Sequence, residues 1–148
     1  MGARQVNGAL RVTRSFCTFA LPPLVLNNLF VDARLEMEQE GNDFGKPFEV
    51  LGSVLAEHVQ YGATLDNGDF DAPPLQPTVT VLSSTPEAGV RSVDVTRWVM
   101  DDIANVREQS QFRLRFTSEA PSGDGGETFY TGWTNGGRPT LVVHYREK

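Results

Sequence analysis

The stretch "NLFVDARLEME", residues 28–38, sets the fold class. Leu29, Val31, Ala33, Leu35 and Met37 alternate with Phe30, Asp32, Arg34, Glu36 and Glu38. An apolar face and a mostly charged face repeating every two residues define a half-buried β-strand. The period returns in "QFRLRFTS", residues 111–118, with Phe112, Leu114 and Phe116 inward and Arg113 and Arg115 outward. It returns again in "RPTLVVHYRE", residues 138–147, where Leu141, Val143 and Tyr145 share a face. "RSFCTFAL", residues 14–21, places Cys17, Phe19 and Leu21 inward. "KPFEVLGSVLAEHV", with a bend at Gly52, and "PTVTVLSS" add two more strands. Between these runs lie "QEGNDFGKP", "DNGDFDAPP", "EAPSGDGGE" and "TNGGRP", dense in the residues that turns require.

This spacing predicts an all-β, antiparallel β-sandwich of jelly-roll type. One segment departs from it. "VDVTRWVMDDIANV", residues 93–106, predicts a short helix over 97–105. Thr96 is its N-cap, and Val95 and Met100 form a hydrophobic staple. Trp98 belongs to the core.

The chain has 148 residues, enough for one domain that buries roughly 70% of its unfolded surface without staples. Its formal net charge is −6, which disfavours nucleic acid as a partner. A single cysteine, Cys17, excludes an intrachain disulfide. No apolar run reaches the length of a membrane span, and the first ten residues carry no signal-peptide core.

Chemistry-bearing constellations are few. The two histidines, His58 and His144, both fall in strand patterns, Cys17 alternates with core residues, and no nucleophile elbow is present. No enzyme is expected. The loop "LDNGDFDAP" offers Asp66, Asn67, Asp69 and Asp71 as hard oxygen ligands, so calcium is the one candidate metal; the alternative is a turn whose acidic side chains bond their own backbone. A sugar needs an aromatic face beside polar groups. "TFYTGWTNGGR" supplies Tyr130, Trp133, Asn135 and Arg138, and Tyr61 in "QYGATLD" is a second platform. Arg11, Arg113 and Arg115 form an outward basic row for an acidic polysaccharide, unless Glu36, Glu38 and Glu49 pair with it.

The order of elements also resembles the DNRLRE domain, a group of extracellular modules that includes alginate-binding-type carbohydrate-binding modules. The resemblance lies in "SFCTFALPPL", "VDARLEME", the "DVT" at Asp94–Thr96 that enters the helix, "FRLRF" and the closing Arg138-Pro139-Leu141-Val143-Tyr145 pattern. "VQYGATLDNGDF" is similar to a stretch found in one branch of the group. Cys17-Thr18-Phe19-Ala20 lacks the arginine and aspartate usual there. The resemblance implies a non-catalytic extracellular or cell-surface module that binds polysaccharide or takes part in an assembly. It also implies a further N-terminal strand, of which "VNGALRV" looks like the end and "GARQVNG" a reduced form. An absent first strand leaves an open sheet edge over Leu10 to Leu21. Such an edge accepts a strand from a neighbouring chain, which gives the alternative of a homopolymeric fibre subunit.

Overall fold

The computed structural model describes residues 1–23, 29–121, 123–130 and 138–146. It is an all-β, antiparallel sandwich. One sheet has the order β3-β9-β6-β7, built from Ser15–Ala20, Gln109–Phe116, Val54–Val59 and Thr80–Ser83. The facing sheet has the order β11-β4-β8, built from Thr140–Arg146, Leu29–Gln39 and Gly89–Asp94. A third, smaller sheet, β2-β1-β10-β5, holds Ala9–Thr13, Gly2–Val6, Gly125–Glu127 and Phe44–Gly45. Helix α1 is a single turn, Pro47–Val50, and α2 spans Thr96–Ala104.

Alternation builds the core as the sequence predicts. Phe112, Leu114 and Phe116 of β9 and Val54 and Ala56 of β6 are buried against Ala33, Leu35 and Met37 of β4 and Val93 of β8. Trp98 and Val99 of α2 are buried with this core.

Four expectations are corrected. Leu29 and Val31 are exposed, at 55% and 42%, while Phe30 packs on the core. The register explains this: Asp32 pairs with His144 but Phe30 with Tyr145, so Val31 is the extra residue of a β-bulge and the faces swap beyond it. Tyr145 stays in phase with Val143 and pairs with Phe30, yet it is exposed at 40%. The segment before Gly52 is not strand: Pro47 starts a helical turn, and Gly52, at φ 84°, redirects the chain into β6. Thr96 is the first residue of α2, not its cap. Its hydroxyl bridges to Ala33, and the Asp94 carboxylate accepts the Thr96 N–H at 2.8 Å. Met100 is exposed and forms no staple with buried Val95.

The first residues form a hairpin. Asn7 and Gly8 have φ 51° and 78°, the left-handed pair that a two-residue hairpin turn demands. β1 then pairs with β2 on one side and β10 on the other. Gly125, at φ 80°, lets β10 approach: a Cβ there would lie 2.1 Å from the Ala3 carbonyl oxygen. β2 leads through Arg14 directly into β3.

Candidate functional site

The densest polar cluster lies at the end of the sandwich under α2. His58 sits at an inward-facing position of β6, in phase with Val54 and Ala56, and is fully buried. Its ring stacks on Trp98 at 5.9 Å between centroids and lies 6.1 Å from Phe112. Its Nε2 is 2.9 Å from Asp102 Oδ1, and its Nδ1 is buried without a partner. Nε2–H is therefore the assigned donor. Asp102, also buried, accepts from Arg107 Nη1 at 3.0 Å and from the Ser110 hydroxyl. One carboxylate thus ties β6, β9 and α2 together.

Serine, histidine and aspartate meet here, but not as a nucleophilic chain. Ser110 and His58 both bond Asp102, so the imidazole does not face the hydroxyl it would have to activate. His58, Asp101 and Asp102 also bring three metal-ligating atoms within 4.8 Å of one another. Between the two carboxylates lies the guanidinium of Arg107, 2.5 Å from Asp101 and 3.0 Å from Asp102. The positive charge that such a cluster calls for is supplied by the chain itself. The adjoining cleft, about 460 Å³, is lined by Gln60, Gly62, Asn105, Glu108 and Gln109, and among the described residues no aromatic side chain lines it.

A second cluster covers the outer face of the β3-β9-β6-β7 sheet. Glu57 is buried and binds Arg113 at 2.7 Å and Arg115 at 2.9 Å. Arg113 also donates to the carbonyls of Phe70 and Ala72, at 2.9 and 2.8 Å. Arg14 grips Glu119 with two nitrogens, bonds the Phe70 carbonyl and stacks over the Phe70 ring. These arginines strap the 60–79 connection onto the sheet. The basic row expected from the sequence does not form: Arg11 belongs to the third sheet, opposite Arg4. Pairing does use up Arg113 and Arg115, but through Glu57. Glu36 and Glu38 lie on β4 in the facing sheet, and Glu49 pairs with Lys46 at 3.0 Å.

The expected sugar platform falls partly outside the described residues: Trp133 and Asn135 lie there. Arg138 is exposed just before β11. Tyr130 packs against the core, and its hydroxyl donates to Gln39 at 3.2 Å. Tyr61 bonds Thr18 at 2.6 Å and meets Phe16 edge-on. Both described rings are therefore engaged within the fold.

The expected calcium ligands do not converge. Asp66 accepts the Gly68 N–H, Asp69 accepts the Asp66 N–H, and Asp71 pairs with Arg14 at 3.1 Å. This matches the turn alternative, in which acidic side chains bond local backbone.

Burial pushes the Cys17 thiol up to about 12 from 9.0, and the Tyr130 phenol up to about 12 from 10.0. Each group resists losing its proton in the folded chain. The stability they contribute is complete below pH 9.0 and is lost as pH rises toward about 12. We expect the melting temperature to fall steadily across that window. Cys17 is only partly buried, but its raised pKa leaves little thiolate near neutral pH, so we also expect a disulfide reagent to label the native chain slowly. Fast labelling of the native protein would contradict that direction.

No protein-family model matches the chain, and no curated protein matches it. Among the described residues no helix is long and apolar enough to cross a membrane.

Proposed function

We propose that this chain is a non-catalytic extracellular β-sandwich module. It serves as a building unit of a cell-surface or extracellular assembly and joins its neighbours through an open sheet edge. One observation carries the reading. β7 and β8 pack together and close one long side of the sandwich. The opposite side is framed by β3 and β11, each paired on one flank only among the described residues. Their core-facing side chains, Cys17, Phe19, Leu141 and Val143, stay only partly buried. An apolar core left open along a strand edge is a template for another chain.

Two further points support the reading. The polar clusters that imitate active sites are spent on joining elements, and the order of the strands resembles that of extracellular DNRLRE modules. The polysaccharide reading keeps the Trp133–Arg138 stretch as its candidate surface.

Light scattering and negative-stain electron microscopy test the proposal. Concentration-dependent open oligomers or filaments are expected. A chain that stays monomeric, and whose melting temperature rises with a polysaccharide in a manner abolished by Trp133→Ala, would replace assembly by glycan binding.

A further inference from the structure

Helix α2 borders a second cleft, on the side of the sandwich where β7 and β8 meet. It has a volume of about 420 Å³ and lies between the first turn of the helix and the chain entering β7. Trp98 decides what it can hold. The indole stacks on His58 and leans on Phe112, so the residue is only 4% exposed. Yet its Nε1–H has no acceptor among the described residues, and it is not sealed away as the orphaned His58 Nδ1 is. An indole N–H donates and never accepts, and in a buried ring it normally finds a partner. Trp98 lines this cleft, so a ligand held there can supply the missing acceptor.

The charges around the cleft set the chemistry of that acceptor. Arg97 lines it, is exposed, and has no carboxylate within ion-pair distance among the described residues. Asp94 is the one carboxylate that lines the cleft among the described residues, and it is already engaged. Its Oδ1 accepts the Thr96 N–H at 2.8 Å. Bonding to Thr96 holds Asp94 below the ordinary carboxylate pKa, and the charges of Arg34 and Arg97 add to this. Arg34 is its cross-strand partner. One carboxylate therefore stands among two guanidinium groups and the positive end of α2. Thr78 and Thr80 add hydroxyls, and Val79 and Val95 add apolar surface.

We propose that this cleft binds a small organic carboxylate. One carboxylate oxygen accepts the Trp98 Nε1–H, the other meets the Arg97 guanidinium, and the carbon body lies on Val79 and Val95. An amine fits poorly: Arg97 repels it, and the Asp94 oxygen that faces Thr96 is spent. An uncharged amide offers a single acceptor oxygen and gains nothing from the surplus of positive charge. Neither Tyr61 nor Tyr130 lines the cleft, and no residue of β3 or β11 does, so the site is independent of the assembly reading.

The test uses the full chain labelled with nitrogen-15 and follows the indole N–H signals by NMR. The chain has two tryptophans, so Trp133→Phe assigns the Trp98 signal. Isobutyrate, added at constant ionic strength, should move the Trp98 indole proton downfield and saturate in the millimolar range. The Trp133 signal should stay in place. Isobutyramide, of the same shape but uncharged, should bind about tenfold more weakly or worse. Arg97→Gln should weaken isobutyrate binding by a similar factor; Arg97 is exposed, so an unchanged melting temperature is expected and checks that the variant folds. A Trp98 signal that does not move, or that drifts without saturating, overturns the site. Equal affinity for isobutyrate and isobutyramide overturns the carboxylate assignment, and this comparison needs no variant. Unchanged isobutyrate affinity in folded Arg97→Gln overturns it as well.

Discussion

Asp102→Ala destabilises the chain by about 3–5 kcal/mol, the cost of stripping a buried charged partner from groups that cannot reach water. Two buried donors lose their acceptor at once, His58 Nε2 and the Ser110 hydroxyl, and Arg107 Nη1 is left with Asp101 alone. His58 already has one unpaired ring nitrogen, so its ring would then be buried between Trp98 and Phe112 with no partner at all. In a domain of this size the loss appears as a fall in melting temperature of roughly 10 °C or more. Asp101→Ala is the control. That carboxylate is 31% exposed, so its removal costs about 1 kcal/mol or less. Equal losses in the two variants would mean that Asp102 does not join α2 to the sheets.

Glu57→Ala has a comparable effect on the other side of the same strand. Arg113 is 5% exposed, and without Glu57 its guanidinium keeps only the loop carbonyls of residues 69–72. A buried cation left without its anion costs about 3–5 kcal/mol, measurable by urea unfolding. The expected signature is local as well as global. Limited proteolysis should cut within residues 60–79, because the strap that holds this connection is gone. A double change, Glu57→Leu with Arg113→Met, should recover part of the loss, since an apolar pair carries no desolvation penalty. Full recovery would show that Arg113 contributes nothing through the loop carbonyls. An unchanged cleavage pattern in Glu57→Ala would show that Arg14 alone secures the connection.

The sandwich was legible because alternation is a local signal. Phe112, Leu114 and Phe116 announce their face within six residues, and the structure buries all three. The exposed Leu29 and Val31 were not legible, because a bulge depends on the register with β11, more than a hundred residues away. The opening hairpin has its signal in Asn7-Gly8, the strongest short turn pair. The central cluster was half legible. His58 and Ser110 each occupy an inward phase of a strand, and a polar side chain there must find a partner. The sequence could not say that the partner is Asp102, since α2 meets β6 only through the tertiary fold. Tyr61 and Tyr130 look like sugar platforms in a sequence because aromatic residues beside loops serve that role. Their hydroxyls are instead claimed by Thr18 and Gln39, and only packing decides between the two uses.

The pairing of β4 with β11 sets the order in which the newborn chain can mature. β4 is complete once residue 39 has been made, yet one flank of its ladder waits for residues 140–146. Throughout synthesis of the intervening hundred or so residues, an eleven-residue strand offers that flank to any other chain in reach. Closure comes only after β11 has emerged from the ribosome, and pairing over so long a separation is slow. The yield of correctly folded protein should therefore depend on translation speed and on chaperones that shield nascent strands.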